Sequence, residues 1–224
     1  MNYLDHLLRK NGIAGNSLLE FGSGTGRHGC LLTTHGYQVH GIELSKEMVL
    51  ASQKSKNFSC QQGDITVTKV AGSFSAVISL FHVISYQVTN QNLNAVFRNA
   101  SRHLDAGGLF IFDIWYSPAV ATQRPERRIK RLKTSDLEIT RIAEPTNYVN
   151  DNRVDVHYTV ICHNLKTGKY QSFEELHPMR HFSLPEIDLV SEYHGFQRIT
   201  AEEWLTGGSI SADTWGICIV LKKQ

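Results

Sequence analysis

The stretch Glu20-Phe21-Gly22-Ser23-Gly24-Thr25-Gly26 follows an apolar run that begins at Ser17 and precedes a helix-forming segment, Arg27 to His35. Glycines between a strand and a helix let the backbone turn tightly and approach a ligand closely. Gly41-Ile42-Glu43 then places a carboxylate at the end of a second strand, suited to a bidentate grip on ribose hydroxyls. Gln62-Gly63-Asp64-Ile65 places another at the end of a third, where it can accept from an adenine amino group. Gly24 to Gly29 also satisfies the GxGxxG dinucleotide spacing, so the loop by itself leaves two nucleotide cofactors open.

The elements that would hold these residues alternate. Residues 2–11 read as a short helix with Leu4, Leu7 and Leu8 on one face, stopped by Gly12. Strands are expected at Ser17–Phe21, Tyr37–Ile42, Phe58–Gln62, Ser75–Leu80 and Leu109–Trp115, the last after an Asp105-Ala106-Gly107-Gly108 turn. Helices start at Arg27, after a Ser45 cap, and at Asn90. Strands alternating with helices imply a doubly wound, mostly parallel α/β sheet of Rossmann-like type. The rhythm breaks after Pro118: residues 119–135 read as a basic loop and residues 136–182 as β-hairpins around a Lys166-Thr167-Gly168-Lys169 turn. It resumes with the capping signal Ser183-Leu184-Pro185-Glu186, a helix ended by Gly195, and two strands that complete a seven-stranded sheet. The expected organisation is a core over 1–118, an antiparallel insertion over 119–182 and a C-terminal return over 183–224.

In order, these residues resemble class I S-adenosylmethionine methyltransferases. EFGSGTG at 20–26 is similar to their first motif, Glu43 to their ribose-binding acid, Gly63-Asp64-Ile65 to their adenine-contacting motif, and Leu104 to Leu109 to their post-helix turn. The resemblance implies a cofactor site of Glu20, Gly22, Gly24, Gly26, Arg27, Glu43, Leu44, Met48, Asp64, Ile65, Leu80 and Phe81. Met48 either covers the adenine or fills the core, and Arg27 either offsets the cofactor carboxylate or is solvated. The competing readings are a nicotinamide oxidoreductase, which lacks an obvious Tyr-Lys or Cys-His arrangement here, and a non-catalytic cofactor-binding module.

Methyl transfer from a sulfonium needs a nucleophile held in line, so positioning can carry much of the rate, while a hydroxyl acceptor wants a base. His82, Tyr86 and His177 are the candidate catalytic groups, with His82 first choice, and Trp115, Tyr116, Glu175 and Arg180 the candidate acceptor contacts. Period-two spacing puts Glu175 and His177 on one strand face and Arg180 on the other. The segment after the fourth strand lacks the Pro-Pro-Tyr core of DNA and protein amide methyltransferases. The second half is similar in plan to bacterial nucleotide-sugar N,N-dimethyltransferases, which implies an amino-sugar acceptor and an insertion used for substrate binding and dimerisation. The resemblance also implies a longer N-terminal cover than residues 2–11, so either the chain is shortened or another element closes the site.

A net charge of +2 with 20% charged residues calls for neither nucleic acid nor a membrane surface. The basic run Arg124 to Lys133 is either an anion-attracting patch or a solvated segment. Cys30, Cys60, Cys162 and Cys218 are too scattered for a disulfide scaffold or a metal knot, and no apolar run suits a signal or membrane helix. A cytoplasmic protein is expected, with a small-molecule acceptor and no metal.

Overall fold

The computed structural model describes all 224 residues. Strands β1 (Ser17–Phe21), β2 (Gln38–Glu43), β3 (Phe58–Gln62), β4 (Phe74–Ser79) and β5 (Leu104–Trp115) pair in parallel, and the whole sheet runs β10-β11-β5-β4-β1-β2-β3 with β10 (Phe196–Glu203) and β11 (Gly216–Lys223). β11 is antiparallel to both its neighbours. Apolar runs rather than alternation mark the central strands because both faces are covered. Leu19, Val77, Phe110, Phe112 and Ile219 pack under helices α4 (Asn90–Arg102) and α6 (Leu184–Tyr193). Leu18, Ile78, Ile111 and Val220 pack on the opposite face under α1 (Asn2–Lys10) and α2 (Arg27–Thr33). A five-residue helix, α3 (Lys46–Leu50), follows β2 and is capped by Ser45, whose Oγ accepts from the Met48 N–H at 3.1 Å. No helix is long and apolar enough to cross a membrane.

Two expectations change. The Asp105–Gly108 turn lies inside β5, which already pairs at Leu104 with Phe74; the next partner of β4, Ala76, meets Leu109, so the glycines form a bulge with Gly107 at φ 83°. The segment expected as a basic loop is instead α5 (Ser117–Gln123), entered through Pro118, followed by strand β6 (Arg128–Lys133). β6 pairs along its whole length with β7 (Leu137–Tyr148), and its cations suit a sheet edge that must not recruit another strand. With β8 (Arg153–Asn164) and β9 (Tyr170–Arg180) it makes a separate four-stranded antiparallel sheet.

That sheet is fastened to the core at two places. Val120, Val154 and Val156 form a small apolar cluster with Trp115, Tyr158 and Trp215 against it. At the other, the α6 capping box is shared: Glu186 Oε2 accepts from the Ser183 N–H at 2.9 Å, while Oε1 accepts from Arg180 at 3.3 Å and from Asn152 at 3.3 Å. Burial alone would raise the Glu186 carboxyl, but the bonds from Ser183, and after them Arg180, hold it below its usual range. Ser183→Ala should therefore cost roughly 1 kcal/mol and Glu186→Ala about 2–3 kcal/mol. Urea midpoints read the difference, and equal losses would mean that the carboxylate does not anchor the insertion.

Candidate active site: a cavity at the carboxyl ends of the parallel strands

A cavity of about 790 Å³ opens where β1 and β4 diverge, at the carboxyl ends of the parallel strands. Open α/β sheets bind ligands at such switch points. β1 leads into Gly22 to Thr25, β2 ends at Glu43 and Leu44, β3 is followed by Gly63 to Ile65, and the segment after β4 brings Leu80, Phe81, Val83, Tyr86 and Gln87. α2 adds Arg27 and His28, and α3 adds Met48.

The loop has its shape for local reasons. At Gly24 φ is 54° and nothing stands within 4 Å of a would-be Cβ, so its backbone faces open cavity; its N–H donates to Glu43 Oε2 at 2.8 Å. A side chain at Gly26, φ 74°, would meet the Phe58 ring at 2.4 Å, so the loop is pressed onto β3. Glu43 Oε1 accepts from the Ser45 N–H at 2.9 Å, which fixes the carboxylate while each oxygen keeps lone-pair capacity for a ligand. Asp64 Oδ1 accepts from the Thr66 N–H at 2.8 Å and hydroxyl at 2.7 Å, leaving Oδ2 unengaged. Buried Ile65 and Leu80 with half-exposed Met48 give the cavity an apolar flank.

His177 arrives from β9, so the insertion closes one side of the same cavity. Its Nδ1 lies 2.7 Å from the Tyr86 hydroxyl and its Nε2 3.2 Å from Glu175 Oε2. This makes a phenol–imidazole–carboxylate line from core to insertion. Burial, then Tyr158 and Glu175, raise the Tyr86 hydroxyl above its ordinary value, so it is a neutral donor. Tyr158 packs edge-on to the His177 ring at 5.1 Å.

Several candidates lie elsewhere. His82 does not line the cavity; its Nδ1 stands 2.7 Å from Oδ2 of Asp113, a wholly buried residue. Trp115 packs edge-on between His82 and Trp215 outside the lining, and Tyr116 packs onto the core. Arg180 serves the Glu186 anchor, and Glu175 reaches the site through His177. Glu20 and Gly26 lie beneath the loop rather than on its open side, with Glu20 1% exposed. Gly63 lines the cavity as its motif implies, and Ser23, Thr25, His28, Val83 and Gln87 line it without being among the candidate site residues. His28 sits one residue past the candidate Arg27, whereas Val83, which fills the space over Gly22 at 2.6 Å from a would-be Cβ, has no signal in the chain.

Residues 18–108 match a family model described as a methyltransferase domain. Over 198 residues the chain is 28% identical to dTDP-3-amino-3,4,6-trideoxy-alpha-D-glucopyranose N,N-dimethyltransferase of Streptomyces venezuelae, covering 84% of this chain and 73% of that one. A putative methyltransferase of Bacillus subtilis is 26% identical over 192 residues, covering 83% and 76%. In fold it is similar to an S-adenosylmethionine-dependent methyltransferase from Clostridium acetobutylicum, with TM-score 0.84 at 17% identity over 99% and 89% of the two chains. Residues 18–108 are a methyltransferase domain, and the chain as a whole is similar in sequence and fold to S-adenosylmethionine-dependent methyltransferases. The nicotinamide reading of the glycine spacing accordingly falls away.

The cavity of this methyltransferase fits the adenosyl cofactor: its volume is ample, Gly24 leaves backbone bare to it, and the carboxylates of Glu43 and Asp64 are fixed on one side with acceptor capacity to spare. One buried carboxyl behind the loop lacks a full set of partners. Burial, with Glu43 nearby, pushes the Glu20 carboxyl up to about 8, although a backbone N–H from Gly29 pulls the other way. Its Oε2 has no hydrogen-bond partner. An unfolded glutamate releases its proton near 4.3, about four pH units lower, so between those values the folded state binds more protons and rising pH favours unfolding. The Glu20 contribution to stability should therefore decrease as pH rises from about 4.5 to about 8, opposing the histidines whose burial holds them below their ordinary value, and Glu20→Gln should make stability fall less, or rise more, with pH than in the wild type. Thermal melts across the range test it; an unchanged slope in the variant would sink the assignment.

Proposed function

We propose that the chain transfers the methyl group of S-adenosylmethionine to a nitrogen or oxygen of a small-molecule acceptor, best an amino sugar carried on a phosphate, held between the core and the insertion. The observation that carries this reading is His177: a residue of the insertion lines the same cavity as the glycine loop. Relatives that methylate dTDP-linked amino sugars support the acceptor class. By register, Arg128, Lys130 and Arg141 stand on the sheet face that carries Tyr158, Glu175 and His177, where a phosphorylated acceptor would find cations.

In this proposal Gly22 and Gly24 run along the methionine moiety, with Gly26 packed on Phe58 behind them, and Arg27 offsets its carboxylate. Glu43 holds the ribose, Asp64 and Ile65 flank the adenine with Leu44 and Met48, and Leu80 and Phe81 border the methionine end. When bound, S-adenosylmethionine supplies an electrophilic methyl on a sulfonium. The chain's own work is to hold the acceptor in line and manage its proton. With the His177 Nε2–H donating to Glu175, Nδ1 is free to accept the Tyr86 proton. A proton leaving the acceptor passes to the Tyr86 oxygen as the phenol proton moves to Nδ1, and Glu175 stabilises the imidazolium that results. His82, facing Asp113, takes no part in this relay. Residues 1–118 and 183–224 are then the cofactor-binding core and 119–182 the acceptor-binding and dimerisation unit, whose face away from His177 leaves Ile129 and Leu176 exposed for a second copy. The protein is read as cytoplasmic, without nucleic acid as a partner.

Calorimetric titration of S-adenosylhomocysteine should give clear binding, and Glu43→Ala should weaken it by about 1–3 kcal/mol. No binding above millimolar, or an unchanged affinity in the variant, counts against the cofactor register. Tyr86→Phe should lower kcat at neutral pH by about 10²-fold and by much less at a pH where the acceptor amine is already neutral. A loss that does not depend on pH would exclude the relay.

A further inference from the structure

Phe81 and His82 occupy consecutive left-handed conformations, φ 61° and 65°, just past β4. Neither is glycine, and for a bulky aromatic this region is a steric outlier. Such a pair persists only where its surroundings over-determine it. The surroundings here are specific. Asp113 in β5 is wholly buried, and its Oδ2 accepts from the His82 backbone N–H at 3.1 Å. The same oxygen lies 2.7 Å from His82 Nδ1, close enough for an ion pair though off the line a hydrogen bond needs. The adjoining Phe81 ring stacks on His28 at 4.7 Å and 12°, meets Trp204 edge-on at 5.9 Å, and forms part of the cavity wall while half exposed.

We infer that Asp113 is a positioning residue for cofactor binding: its carboxylate clasps His82 from inside the sheet and holds Phe81 against His28 at the mouth of the cavity. The carboxylate never meets a ligand. It acts through a strained backbone, which is why an acid that lines nothing stands near the carboxyl end of β5, opposite Cys218 of β11. A buried carboxylate with Oδ1 unpartnered is costly to keep for packing alone. The inference rests on the reading of the main cavity as the cofactor site.

The test compares S-adenosylhomocysteine affinity, by calorimetry, in the full chain and in variants whose melting temperatures are measured alongside. Asp113→Asn should raise Kd about tenfold, as should Phe81→Ala, and the double variant should be no weaker than Phe81→Ala alone, because both act through one ring. Losses that multiply, or an Asp113→Asn affinity within about twofold of the wild type, overturn the clasp. If Asp113→Asn does not fold, residue 82 decides: Gly enters the left-handed region freely and Ala does not, while both keep the N–H that Asp113 binds. His82→Gly should then bind several-fold tighter than His82→Ala, the reverse of the order that loss of side-chain packing would give. Equal affinities, or tighter binding by the alanine variant, overturn it. Wild-type protein that fails to bind S-adenosylhomocysteine would instead remove the cofactor reading itself.

Discussion

The parallel pairing of β1 with β4, through Leu18↔Ala76, Leu19↔Val77 and Glu20↔Ile78, is the contact on which everything else depends. Neither strand follows the other in the chain. From that seam the chain winds outward in two directions, β2 and β3 one way, β5, β11 and β10 the other. No crossover covers the seam at its carboxyl end, and a crevice must open there. The pairing is held by side chains with no exposure on either sheet face, so the crevice is a by-product of burying two apolar layers. Its walls are strand ends and turns, joined by Arg27 and His28 at the start of α2, Met48 of α3 and His177 of β9.

Polar groups near the seam divide by how they are paired. Glu43 and Asp64, on the open side, are each fixed by backbone donors and remain able to bind more. Glu20 and Asp113, on the closed side, are buried with an oxygen unpartnered, and each lies directly behind a piece of the cavity wall: Glu20 behind the glycine loop and Asp113 behind Phe81. The protein thus carries its electrostatic cost one layer away from the ligand, where it shapes the backbone.

The insertion changes what kind of site this is. Without it the cavity would be a cofactor slot open to water beside Tyr86. β9 crosses that opening and presents His177, already bonded to Tyr86 and Glu175, while Glu186 holds the root of β9 to the core. The two sheets meet through an apolar cluster around Val120, Val154 and Val156 and through these polar contacts, so the side that carries His177 can vary without disturbing the strand ends of the core.

The fold was legible in the chain wherever burial or turn chemistry writes a periodic signal. The strand at Phe58–Gln62, the Ser45 cap and the Ser183–Glu186 capping box all stand where local residue types place them. The basic segment was misread because its charges suggested solvent, whereas partner strand β7 makes it an edge. Likewise, sequence order and residue type determined the cofactor loop and its two open-side acids, because those contacts lie within a few residues of a strand end. Which histidine joins the site is not a local property: along the chain His82, just past the fourth strand, is the first choice over His177. Only the tertiary structure turned His82 toward Asp113, 31 residues away, and brought His177 to Tyr86 across 91. Register between distant strands, set by burial of the whole sheet, is what the linear pattern cannot carry.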